Sequence, residues 1–170
     1  MSSDLRVPAH YLDEEDDAEL TWRVIAPAYD AVSLDDGAEA VARDLERLTA
    51  GQRALLAVHW CVSETLNGGF DQFFTNPSGL LFDEALTGFG RIGVPQGASI
   101  LRAARKLLAS RPPEADTNAP GFDGADDADR FDAYLAQYEP LEERFEALID
   151  EELYVRAATY VRSHPEEFVQ

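Results

Sequence analysis

The chain has 170 residues, 33 of them Asp or Glu against 14 Lys or Arg, which gives a formal charge of −19, about one uncompensated negative charge every nine residues. A polyanion of this kind has no basic surface with which to hold nucleic acid directly, because phosphate contacts need Lys and Arg, and anionic membranes repel it. With 45% apolar residues and 10% aromatics the chain can still build one domain around a real core, which excludes wholesale disorder.

In chain order, Met1 to Arg6 lacks the apolar stretch of a signal peptide, and residues 1–17 read as a flexible acidic segment ending in the run Asp13, Glu14, Glu15, Asp16 and Asp17. Leu20, Val24, Ile25, Ala28, Tyr29 and Val32 then follow helical spacing, with Pro27 predicting a kink or a break into two short helices. Asp35-Asp36-Gly37 reads as a turn, and Val41, Leu45 and Leu48 stripe the helix after it. Residues 53–66 form the least polar helix, the expected centre of the core, ended by Asn67-Gly68-Gly69. Its longest uncharged apolar run, Ala54 to Ser63, is about half a membrane span.

Further helices are predicted over 81–92, from Pro95 through the stripe Ile100, Leu101, Ala104, Leu107 and Leu108, over 131–138, and from Pro140 onward. Residues 111–128, rich in Pro, Gly and acids, read as one long loop. Strand alternation is nowhere convincing. The expectation is an all-α, single compact domain of about seven to nine helices spanning 1–170.

The charge is segregated. Residues 1–47 carry −9, residues 48–110 carry +1, and residues 111–170 carry −11. Two acidic flanks around a neutral centre favour a surface for a basic partner. Lys106 is the only lysine against 13 arginines, and acidic, lysine-poor chains are also the mark of salt-adapted proteomes, a second source for the charge.

No pattern points to catalysis, a cofactor or a metal. Cys61 is the only cysteine, in the apolar setting of a buried, reduced thiol, which fits a cytoplasmic protein. His59 and Cys61 lie two apart and so face different ways on a helix. Asp116 to Gly121 with Asp127 loosely matches a calcium loop, but Pro120 occupies a ligand position. Gly88, Gly90 and Gly93 fit the G-x-G-x-x-G spacing with no strand before them, so they do not predict a nucleotide site.

The distinctive segment is Glu64-Thr65-Leu66-Asn67-Gly68-Gly69-Phe70-Asp71-Gln72-Phe73-Phe74-Thr75-Asn76-Pro77-Ser78-Gly79. Its glycines permit sharp turning, Phe70, Phe73 and Phe74 are expected to plug the core, and Gln72 and Asn76 are expected to bond backbone at the turn. This composition suits a structural corner more than a binding site. A pocket near 67–76 holding Gln72, Asn76 and His59 is the arrangement an enzyme would need.

On Glu64, Asn67, Gly68, Gly69, Phe70, Gln72, Phe73, Phe74, Asn76 and Gly79 the sequence resembles a bacterial domain-of-unknown-function family with the pattern E-x-x-N-G-G-F-x-Q-[FY]-F-x-N-x-x-G, which includes the DMP-type DNA mimics. The likeness extends over roughly residues 45–168, including Glu84-Ala85-Leu86, Ile92-Gly93 and the terminal His164-Pro165-Glu166-Glu167-Phe168. The resemblance implies an all-α fold and, for the DNA-mimic type, a homodimer whose carboxylates imitate phosphates and occupy the DNA-binding surface of a transcription regulator or nucleoid protein. Mimicry residues are not part of the motif. The candidates by acid density alone are Asp13, Glu14, Glu15, Asp16, Asp17, Asp35, Asp36, Asp126, Asp127, Asp129, Glu142, Glu143, Glu146, Asp150, Glu151 and Glu152. An immunity- or antitoxin-type inhibitor of a basic nuclease, and a general helical domain from an acid-rich proteome, are the alternative readings.

Overall fold

Amphipathic stripes with a 3.6-residue period can be buried only by packing helix on helix. The computed structural model, which describes residues 5–112 and 124–170 and the side chains of all of these except 124–127, is all-α. The helices are α1 (Asp17–Ala31), α2 (Ala38–Leu45), α3 (Ala50–Thr75), α4 (Phe82–Arg91), α5 (Pro95–Leu107), α6 (Gly124–Leu135), α7 (Glu139–Leu148) and α8 (Tyr154–Ser163). A π-turn over Ile149–Leu153 runs α7 into α8, so the helical region expected from Pro140 onward is one continuous rod. No helix is long and apolar enough to cross a membrane among the described residues.

The helix α3 is the hub, packed by α1, α4, α5 and α7. Leu55, Leu56, Ala57, Cys61, Phe70 and Phe73 on it are almost wholly buried. Its start is a capping box: the Thr49 side chain accepts from Gln52 N–H and the Gln52 side chain accepts from Thr49 N–H. The glycines spaced like a nucleotide loop serve packing instead. A Cβ on Gly88 would lie 2.5 Å from the Ala54 carbonyl oxygen, so this glycine sets the approach of α4 to α3. Gly93, at φ +77°, closes α4 with Val94 N–H bonding Phe89 O at 2.8 Å and Gly93 N–H bonding Gly90 O at 3.2 Å, a Schellman cap.

Several expectations are corrected. The expected break into two short helices at Pro27 does not occur: α1 continues through it as one helix, with its apolar face buried on both sides of the missing hydrogen bond (Leu20, Val24 and Ile25 before, Ala28 after). The segment after Asn67-Gly68-Gly69 is helical again: φ/ψ leave the helical region only at Gly68 (−157°, 22°) and Gly69 (80°, 176°), and α3 resumes from Phe70. Gly124 opens α6, inside the segment expected as a loop through residue 128; residues 116–121 of the loose calcium-loop match lie outside the described residues. The N-terminal segment is docked from Leu5 onward. Val7 is buried and pairs with the C-terminal tail (Val7 N–H to Phe168 O, 2.8 Å; Gln170 N–H to Val7 O, 3.0 Å), and a 3-10 turn covers Ala9–Asp13.

The tail also caps the hub. Phe168 is fully buried, the Glu167 carboxylate accepts from Gly51 N–H in the first turn of α3, and Tyr160 OH donates to it at 2.7 Å. A carboxylate there compensates the positive end of the helix dipole.

Candidate functional site

The Gly68–Gly69 break turns the motif into a corner with two separate jobs. Breaking a helix exposes a new set of N–H groups, and one of them, Phe70 N–H, donates to Glu142 Oε1 at 2.9 Å. Gly69 must be glycine twice over: its φ of +80° is left-handed, and a Cβ would sit 2.5 Å from Glu142 Oε1. On the other side of the corner, Glu64 Oε2 accepts from Gln72 Nε2 at 2.7 Å and from Asn76 Nδ2 at 2.9 Å. Gln72 and Asn76 were expected to bond backbone. They bond Glu64 instead, because the break brings the second half of α3 back over the first. Phe70 and Phe73 are fully buried and Phe74 is partly buried against the core, while a Cβ on Gly79 would strike the Phe74 carbonyl oxygen at 2.7 Å. Asn67 is exposed.

Asp71 sits inside the corner. It accepts from Arg111 Nε at 2.9 Å and from Tyr134 OH at 2.7 Å, and the Tyr134 and Tyr138 hydroxyls lie 2.8 Å apart. This network joins α3 to both ends of the acid-rich segment. Burial, with Asp71 and Tyr138 beside it, pushes the Tyr134 hydroxyl far above its usual range. Sequence reasoning passed over Asp71, Tyr134 and Glu167, since a single acid or tyrosine carries no periodic signal.

The acid candidates separate into two sets. Glu14 pairs with Arg23 (3.2 Å), Asp16 caps α1 by accepting from Glu19 N–H (2.8 Å), Asp17 pairs with Arg162 (2.8 Å) and Glu152 pairs with Arg156 (2.8 Å). Glu142 is half-buried at the corner, where burial raises its pKa, the Phe70 N–H opposes that, and Glu146 and Glu139 add to the rise. These five hold the fold. Asp13, Glu15, Asp35, Asp36, Asp129, Glu143, Glu146, Asp150 and Glu151 are exposed, and the side chains of Asp126 and Asp127 lie outside the described residues.

The exposed set is densest along the α7 rod. Glu139, Glu143, Glu146 and Asp150, all exposed, recur every three or four residues and so share one side of the helix. Phe145 and Ile149 on the other side are buried. At 1.5 Å per residue the row spans roughly 16 Å. Along one DNA strand that length holds about five phosphates at 3.4 Å per charge, a density close to that of the four exposed acids. Glu139 escaped the density criterion because it stands apart from its neighbours in sequence.

The residues suggested for chemistry are not assembled. Cys61 is fully buried, which drives its thiol far above the usual range, while His59 is half-buried against Trp22 and Tyr29 and burial lowers its pKa. Asn76 lines a cleft of about 510 Å³ with Tyr29, Trp60 and Glu64. His59 and Asn67 line a different, shallower depression, and Gln72 lines neither. No group of three or more metal-binding side chains occurs among the described residues.

The fold and the corner define a small all-α protein organised around a broken central helix with an acidic rod beside the break. A family model described as DMP19-like protein matches residues 46–164, most of the chain, and the chain belongs to that family. The match takes in α3 to α8, and with them the corner and the rod, and leaves out the acids at 13–17 and 35–36. No curated protein and no solved structure matches the chain.

Proposed function

We propose that this is a non-enzymatic, cytoplasmic binding protein that acts as a DNA mimic, its acidic rod occupying the DNA-binding surface of a transcription regulator or nucleoid protein. The observation that carries the reading is the row Glu139, Glu143, Glu146 and Asp150, exposed on a helix whose Phe145 and Ile149 are buried, in a chain of the DMP19-like family. A flexible acidic tail gives a diffuse field; a rigid row presents charges at fixed spacing, which a DNA-binding surface can read. The π-turn that follows carries Asp150 and Glu151, both exposed, at the end of the row. By the family resemblance the active form is a homodimer, which doubles the array.

Partners are to be captured from native lysate at low salt and eluted with a salt gradient. A sequence-specific or nucleoid DNA-binding protein that elutes at moderate salt supports the proposal. A basic nuclease in its place moves the assignment to an immunity-type inhibitor, and a chain that retains no basic protein refutes mimicry.

A further inference from the structure

We propose that the cleft of about 510 Å³ between the C-terminal ends of α1 and α3 binds an arginine side chain of a protein partner, with Glu64 as the carboxylate on which the guanidinium closes. The inference deepens the basic-partner reading above and names a contact outside the acidic rod.

Three independent features make the cleft a cation site. The first is its wall: Tyr29 and Trp60 stack with centroids 4.9 Å apart and 11° between planes, and both line the cleft. The face each ring turns to the other is covered, and the aromatic surface left to the cleft offers π contact that suits a planar guanidinium better than a compact ammonium. The second is the carboxylate. Glu64 Oε2 is held by two neutral amides, Gln72 Nε2 and Asn76 Nδ2, which fix the group without neutralising it, while Oε1 has no hydrogen-bond partner among the described residues. The third is the backbone field. α1 and α3 both end at the cleft, at Ala31 and Thr75, and neither has a basic residue in its last turn. Each helix therefore turns the negative end of its dipole toward the cleft with no basic residue of its own in the last turn, and Asp30 adds a like charge. Asp35 contributes a third carboxylate, and no Lys or Arg is among the described lining residues.

Each of these features lowers the free energy of a bound cation. A divalent metal fits poorly, because Asp30, Asp35 and Glu64 do not converge into a ligand group. The volume falls within the ~300–1,000 Å³ of small-ligand pockets, room for a side chain entering from a partner. On this account the family motif has a second use: Glu64, Gln72 and Asn76 form a pre-oriented acceptor as well as a strut.

The test uses the full chain carrying Trp22→Phe, which leaves Trp60 as the only indole. N-acetyl-arginine amide is titrated at constant ionic strength while Trp60 emission is followed. The expected result is a saturable change, several-fold weaker with N-acetyl-lysine amide and at least about tenfold weaker in Glu64→Gln, the loss of one charge-assisted hydrogen bond. Asp83→Asn, on the exposed start of α4, leaves it unchanged. If Glu64→Gln lowers the melting temperature, Asp30→Asn with Asp35→Asn, both on exposed positions, takes its place and is expected to weaken the probe several-fold. No saturable response, or a response equal in these variants, overturns the inference. Saturable arginine binding with no basic partner in lysate would leave the cleft standing and remove the mimic. A partner whose affinity falls with Glu143→Gln/Glu146→Gln/Asp150→Asn but not with Glu64→Gln would do the reverse.

Discussion

Gly69→Ala tests the corner most sharply. The residue has φ +80° and ψ 176°, a region essentially reserved for glycine, and holding a side chain there costs about 1–3 kcal/mol. The new Cβ would also lie 2.5 Å from Glu142 Oε1, so the carboxylate must withdraw from Phe70 N–H, losing a charge-assisted bond worth about 1.5–3 kcal/mol. Together these give a destabilisation of about 2.5–6 kcal/mol. For a chain of this length that lowers the melting temperature by roughly 5–24 °C, at 2–4 °C per kcal/mol. Urea unfolding followed by circular dichroism measures it, with an unchanged m-value showing that the unfolded state is the same. Gly90→Ala is the internal comparison, because a Cβ there meets nothing within 4 Å on a helical backbone; it should be neutral or stabilising by up to about 1 kcal/mol. A Gly69→Ala loss under about 0.5 kcal/mol would refute the strained, Glu142-capped break.

Glu142 has a pKa raised first by burial, so between its unfolded and folded values the native state binds more protons, and stability falls as pH rises through that window. Wild type should therefore gain stability on mild acidification from neutral pH, and Glu142→Gln should flatten that part of the profile in thermal melts across pH. Asp71→Asn removes the buried partner of Arg111 and Tyr134 and should cost about 3 kcal/mol, against about 1 kcal/mol for Tyr134→Phe, both read from urea midpoints. Phe168→Ala empties a fully buried aromatic site two residues from the chain end and should cost about 3–5 kcal/mol, far more than a dispensable tail would.

The all-α fold could be read from the sequence because each helix has a one-sided stripe: Val41, Leu45 and Leu48, or Ile100, Leu101 and Ala104, are buried where the period puts them. The corner was readable as a break at Gly68–Gly69 but not as a resumption, since whether a helix restarts depends on Glu142, 72 residues away in sequence, bonding Phe70. For the same reason acid density does not separate the acids engaged within the fold from the exposed ones. Glu14, Asp16, Asp17, Glu142 and Glu152 look like free charges in a run, and only their arginines and backbone partners, one of them 145 residues distant, give them structural work. Glu139 and Asp30 carry the opposite error. Standing apart in sequence, they matter through position on a helix side or beside a helix end.

Competition between this chain and duplex DNA for the captured DNA-binding protein tests mimicry most directly. The prediction is mutual exclusion, with an affinity that drops steeply between about 50 and 200 mM salt and weakens in Glu143→Gln/Glu146→Gln/Asp150→Asn. A ternary complex with DNA, or an affinity flat across that range, would contradict it.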